Sequence, residues 1–268
     1  MGRLSDVELN EASGFARSAL RPNTFWSQGD SGNEPVLFAF DSSGASLGAT
    51  RVRDAENRDW EAIAIGVCPT GSCLYIGDVG DNGARRNTVR IWRIAEPQPG
   101  DSVSTPPEQL VVEYPDGPRD VESMWVAPDS AVYLLTKRPE KVNDRWRAAQ
   151  IYRLPAEAWR ANATITASLF DSLPIVPRKN DSRGWLTDAA LSSADSSGRY
   201  RLVVRSYRDV SVWDIHPTTW HPRERLAHCL LTEVPEASSG EGVTWLADGR
   251  IALNHEGVRA SLHAGRCP

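Results

Sequence analysis

One pattern recurs five times along the chain, a carboxylate beside a small residue followed by an alternating apolar run. It reads NEASGFARS at 10–18, DWEAIAIGV at 59–67, DVESMWVAP at 120–128, LTDAALSSA at 186–194 and GEGVTWLAD at 240–248. The acids are Glu11, Glu61, Glu122, Asp188 and Glu241, spaced by 50, 61, 66 and 53 residues. Short alternating runs have the period of a half-buried strand. Their return at a regular interval marks a repeat architecture.

Each unit continues in the same way. A second strand follows (TFWSQGD, CLYIGD, AVYLLTK, YRLVVRS, RIALNHE), then a third (VLFAFDSSG, VRIWRIAEP, AQIYRLPAE, VSVWDIHP, VRASLHAG). A more variable fourth strand fits SLGATRVRD, QLVVEYP, ITASLFDS and RLAHCLLTE. Four antiparallel strands per unit, repeated radially, describe an all-β, five-bladed β-propeller. Its blades span about 9–54, 59–116, 120–173, 186–236 and 240–268, the last completed by residues 1–8. Closure by the N-terminal segment would protect the edge of the terminal blade. A β-sandwich is the alternative, and five copies of one pattern disfavour it.

The chain of 268 residues carries a net charge of -5, which disfavours a nucleic-acid footprint. No apolar run is long enough for a membrane span. No signal peptide is visible after Met1. Cys68 and Cys73 face each other across a predicted hairpin, within disulfide reach. Cys229, in an outer strand of unit four, and Cys267, at the end of unit five, form the second expected pair. Reduced thiols are the alternative. Oxidised cysteines predict a periplasmic or extracellular protein, and a monomer is expected.

First strands of a propeller line its axis, so Glu11, Glu61, Glu122, Asp188 and Glu241 form a ring. Carboxylates so confined repel one another, and a cation relieves that repulsion. All-oxygen donors predict calcium, with Asn10, Ser13, Ser123 and Thr187 as further oxygens. Asp59 and Asp120 lie two residues before their glutamates and deepen the negative well. Pairing of these acids with Arg58, Arg119 or Arg205, without metal, is the alternative.

Loops after the second strands share the face where the first strands begin. That mouth gathers Asp30, Ser31 and Asn33, then Asp78, Asp81 and Asn82 from GDVGDNGARRN (77–87). It also gathers Lys137, Arg138, Arg205, Tyr207, Asn254, His255 and Glu256, with the segment 177–185 overhanging it. Asp30, Asn33, Lys137, Arg138, Arg205 and Tyr207 are expected to bind a small anionic substrate. His255 and Asp78 are expected to move protons, and Arg85 and Arg86 to guard the rim. The alternatives are a structural His255 and basic side chains paired with ring carboxylates. His216, His221, His228 and His263 fall in outer strands or connections. Trp60, Trp92, Trp125, Trp213 and Trp245 sit in strands as inter-blade core.

The chain has no G-x-S-x-G elbow, Walker loop or H-E-x-x-H. DVGDNG begins like a calcium loop, but Val89 stands where an EF-hand needs glutamate. DWEAIAI, GDVGDN and VRSY resemble elements of a group of bacterial, often exported propeller proteins, and this similarity covers nearly the whole chain. A narrower similarity is to the calcium-activated nucleotidases, five-bladed propellers with one axial calcium held by Glu and Ser. EAS (11–13), WEA (60–62) and EGV (241–243) carry it, and VES (121–123) and TDA (187–189) match less closely. The acid ring and the polar loops on one face predict a calcium-dependent hydrolase of an anionic ester or phosphoester in a central funnel. A non-catalytic ligand- or protein-binding propeller with structural calcium is the second expectation, and a five-bladed glycosidase the third.

Overall fold

The structure, a computed structural model, describes residues 1–138, 141–142, 145–160, 163–175, 182–231 and 239–268. Five small antiparallel sheets follow one another along the chain, as the repeat requires. Blade one contains β1 (Ala16–Arg17), β2 (Phe25–Gln28), β3 (Val36–Phe40) and β4 (Ser46–Arg51). Blade two contains β5 (Trp60–Cys68), β6 (Gly71–Asp78), β7 (Val89–Ala95) and β8 (Glu108–Glu113). Blade three is built on β9 (Val121–Val126) and β10 (Val132–Thr136). The chain then leaves the sheet as a small hairpin, β11 (Lys141–Val142) and β12 (Arg145–Trp146), and returns as β13 (Ala149–Leu154).

After β13 come β14 (Ile165–Thr166) and β15 (Ser168–Leu173). Blade four has β16 (Leu186–Leu191), β17 (Tyr200–Ser206), β18 (Asp209–Ile215) and β19 (Pro222–Leu230), and blade five β20 (Val243–Trp245), β21 (Ile251–Leu253) and β22 (His263–Gly265). Sheet order follows chain order in four blades. The exception is the run read as one fourth strand, ITASLFDS. Only β15 closes blade three, while β14 crosses over and pairs in parallel with β8 of blade two.

The core is not one cluster but five, one per seam. Alternation in β5 explains why: Ala62 and Ala64 face blade three beside Met124 and Val126, whereas Ile63 faces Trp26 and Leu37 of blade one. Trp60 and Trp92 lie in the seam between blades one and two, Trp125 and Trp213 in that between three and four, and Trp245 between four and five. Phe15, Phe25 and Phe40 stack in the seam between five and one, with ring centroids 5.3–6.1 Å apart.

That last seam closes the ring. Arg3 bridges Ser261, the Leu4 amide donates to the Ala260 carbonyl (2.9 Å) and the Leu262 amide donates to that of Gly2 (2.8 Å). The N-terminal segment thus joins blade five, over residues 2–4 only. Its other side meets blade one, where Gly2 and Ser5 donate to Ser42 and Gly44.

Both expected disulfides are present: Cys68–Cys73 spans the β5–β6 hairpin, and Cys229–Cys267 ties β19 to the end of blade five. They fit an oxidising compartment. No helix of the described residues is long and apolar enough to cross a membrane. Cys229–Cys267 encloses a separation of 38 residues, which corresponds to about 4 kcal/mol of unfolded-state entropy. Replacing both cysteines by serine is expected to lower the urea unfolding free energy by about 3–4 kcal/mol. Loss of less than about 1 kcal/mol would show that blades four and five are held mainly by the Val243–Trp245 seam.

Candidate functional site

The inner strands carry a bulge at one equivalent position. In β5, Trp60 pairs with Asp78 and Ala62 with Gly77, so Glu61 is the extra residue. In β9 the extra residue is Glu122, between Val121–Thr136 and Ser123–Leu135. In β16 it is Thr187, between Leu186–Ser206 and Asp188–Arg205. The amide of Ser13 donates to Gln28 beside the Ala12–Gly29 bridge, and that of Asn254 to Gly242, which puts Ser13 and Glu241 at the same level. A bulge turns its residue out of the ladder. The ring is therefore Ser13, Glu61, Glu122, Thr187 and Glu241.

Two residues expected in the ring stand elsewhere. Glu11 is exposed and accepts a 2.8 Å hydrogen bond from Asn33 Nδ2. Asp188 is fully buried one residue past the bulge. Its Oδ1 and Oδ2 accept the amides of Ala189 and Val243, both at 2.8 Å, stitching blade four to blade five. Burial pushes its carboxyl well above the usual range.

At the mouth, Asp30, Asp59 and Glu61 converge, with one oxygen from each within 4.8 Å of the others. Glu61 also accepts from Ser13 Oγ at 2.9 Å. Burial, then the neighbouring Asp30, raises Glu61 well above a normal glutamate, and the same two causes bring Asp59 to about 6. Gly80 of the GDVGDN stretch lies against this trio. A Cβ there would stand 2.5 Å from Asp59 Cγ and 2.7 Å from Glu61 Cγ, so the cluster has room only because residue 80 has no side chain. The glycine contact was not anticipated, and close approach to a paired acid is the physical signal that explains it.

Around the axis, Lys137 Nζ bonds Glu122 Oε1 and lies 5.8 Å from the centroid of the half-buried Tyr207 ring. Glu241 is raised to about 7 by burial and by Glu256, and hydrogen-bonds the side chain of Tyr207. The other basic groups expected to bind substrate are also engaged. Arg138 donates through Nε and Nη2 to Asp120 Oδ2 (2.9 and 2.7 Å) and lies over Trp185, 4.6 Å from its ring centroid. Of the expected overhang, residues 177–181 lie outside the described residues. Arg205 is fully buried, donating to the carbonyls of Gly242 (2.7 Å) and Asn254 (2.6 Å), and burial lowers its pKa to about 10.

Neither expected proton carrier faces the funnel. His255 is fully buried in the seam of blades four and five, its Nδ1 3.4 Å from Arg205 Nη2 and its ring edge-on to His263. Asp78 is fully buried too, paired with Arg86 Nη2 at 2.8 Å and accepting the Asp59 amide at 3.1 Å. Arg86 is an internal anchor rather than a rim guard, while Arg85 is exposed. Asp81 shapes the turn by accepting the amides of Arg85 and Arg86, both at 2.6 Å.

Below the ring the axis narrows to a cavity of about 50 Å³ lined by all five blades, including Phe15, Ile63, Met124, Ala189 and Thr244. Fold and site together define a five-bladed β-propeller with an acidic funnel. The chain matches no protein-family model and no curated protein. Among solved structures it is similar to a GH43 endo-arabinanase from Bacillus licheniformis, at 13% identity and TM-score 0.56, covering 99% of this chain and 96% of that one. It is also similar to an exo-β-1,3-galactanase from Phanerochaete chrysosporium, at 10% identity and TM-score 0.56, covering 98% and 62%. At such identities the likeness establishes the fold alone.

Proposed function

We propose that the chain binds a calcium ion through Asp30, Asp59 and Glu61 and is a calcium-dependent hydrolase of an ester in the axial funnel. The observation that carries this reading is the convergence of three carboxylates to which no basic side chain is bonded among the described residues. The donor set suits a hard cation, and the absent Cβ of Gly80 leaves it space. A cation there supplies Lewis-acid polarisation of a substrate oxygen and lowers the pKa of a bound water.

The chain's own residues would do the rest. Glu241, near 7, can hold or release a proton at neutral pH, a role expected earlier for His255 and Asp78. Tyr207 orients its carboxyl. Lys137, Arg138 and Arg205 are committed to other partners, so an uncharged ester suits the funnel better than the anion expected from sequence. The two disulfides favour a periplasmic or extracellular setting.

A glycosidase is the second reading. Such enzymes use a pair of carboxyl groups flanking the scissile bond, and Glu61, Glu122 and Glu241 share the ring. The two similar structures are named as an arabinanase and a galactanase, which makes arabinan and galactan fragments reasonable probes.

Calcium titration tests the proposal. One ion per chain is expected, and at 100-fold excess over Kd it adds about 2.7 kcal/mol, raising Tm by about 5–10 °C. Asp59→Asn with Glu61→Gln should abolish both effects. Absence of binding at millimolar calcium would remove the metal. An intact site without turnover of esters, lactones, phosphoesters or glycosides would leave a binding propeller with structural calcium.

A further inference from the structure

An acid ring on a propeller axis calls for a cation, and the chain already places one there. We infer that Lys137 is the ring's resident cation, a tethered ammonium bonded to Glu122 that supplies the positive charge among the ring acids and closes the axis itself to a metal ion. The inference goes beyond the calcium site at the mouth, with which it shares Glu61.

The backbone of Lys137 is clamped at the seam of blades three and four. Its amide donates to the Asp120 carbonyl (3.0 Å), and its own carbonyl accepts the amide of Leu186 (3.0 Å). The side chain is only 9% exposed, against 1% for its partner Glu122. From there Nζ bonds Glu122 Oε1, and its charge also acts on Glu61, Glu241 and Glu256. Burial opposes the ammonium, but Glu122, Tyr207 and Glu61 outweigh it, and the group stays protonated far into the alkaline range.

Residue choice points the same way. The chain has three lysines, at 137, 141 and 179, among 30 basic residues. Elsewhere it uses arginine, including at the buried ion pair of Arg86. A guanidinium is a planar fork suited to one carboxylate, whereas an ammonium is a compact point charge with three donors. A charge that bonds Glu122 and also acts on Glu61 and Glu241 of other blades suits the second geometry. Two hydroxyl positions in the ring, Ser13 and Thr187, keep the charge low enough for one ammonium to serve.

The test compares calcium stoichiometry in the wild type and in Lys137→Ala. Removing the ammonium leaves three glutamates and two hydroxyls around a vacated space, so the variant should bind one calcium ion more than the wild type. In EDTA its Tm should fall by about 10 °C or more, and saturating calcium should restore most of that loss. A wild type that binds no ion while the variant binds one would sink the calcium site at the mouth and still support Lys137. Equal stoichiometry with an unchanged Tm in EDTA would overturn the inference.

Should the variant not fold even with calcium, the wild type itself decides. With three lysines, the ammonium resonances are few enough to assign by ¹⁵N NMR. A Lys137 ammonium signal that persists at pH 7 both with and without calcium supports a resident cation. Rapid solvent exchange, or displacement by calcium, overturns it.

Discussion

Arg86→Met is expected to destabilise the protein by about 3–5 kcal/mol, because it strands a carboxylate in the interior. Asp78 is fully buried. Its Oδ1 is held by Arg86 Nη2 and the Asp59 amide, and its Oδ2 has no hydrogen-bond partner. Without the guanidinium, the charge must stay unpaired or take up a proton. Arg86 Nη1 also donates to the Gly80 carbonyl at 2.7 Å, so the same change loosens the loop that makes room for Asp59 and Glu61. Urea unfolding should show a lower midpoint at unchanged m, and calcium affinity should weaken in parallel. Asp78→Leu combined with Arg86→Met should recover more than half of the loss, since apolar replacement of both members is far milder than breaking the pair. A single variant within about 1 kcal/mol of wild type would show that the pair contributes little to the loop's anchoring.

The second large effect is with pH. Glu241 is raised from 4.5 to about 7, by burial first and then Glu256, against the opposing charges of Lys137 and Arg205. Asp59 is raised from 3.8 to about 6, by burial first and then Asp30, with Asp120 and Asp78 adding and Arg86 opposing. A carboxyl raised in the folded state favours folding only while protonated. Its contribution is therefore full below about pH 4 and is lost as pH climbs through the folded value. In EDTA, these two groups should lower stability between about pH 4 and pH 7.5. The loss is on the order of 3 kcal/mol from Glu241 and about 2 from the half-buried Asp59 after solvent screening. Saturating calcium should flatten this slope, because binding requires the ionised form of Asp59. Chemical denaturation at several pH values, with and without calcium, reads both. Apo stability that rises steadily from pH 4.5 to 7.5, with Glu241→Gln no different, would contradict the assignment.

Much of the architecture was legible because repetition repeats its own evidence. Each blade offers another copy of the same alternation, and both disulfides join places that the blade order brings together. The site was harder to read, because its register depends on backbone bulges that leave no letter of their own. Glu61, Glu122 and Glu241 coincide with the repeat's acid. In blades one and four the acid is off by a step or two, and the axial positions are the hydroxyls Ser13 and Thr187. A polar residue followed by a small or short one marks these places better than the acid does. The roles of Arg205, His255 and Asp78 were hidden for another reason. Their partners lie on neighbouring blades or eight residues along a turn, and only folding shows that they are buried against them. The β14 crossover escaped notice because two residues are too few to carry a period.

That crossover bears on how five similar modules find their proper order. Blades cut from one pattern have nearly interchangeable flanks, so a half-folded chain could dock the wrong pair or trade a blade with another molecule. Ile165–Thr166 removes the ambiguity at one junction. By joining the outer edge of blade two, the connection within blade three laces these neighbours through a shared sheet. Arg51, pairing in parallel with Val103, ties blades one and two in the same way, and the ring closes at the clasp where residues 2–4 meet residues 260–262.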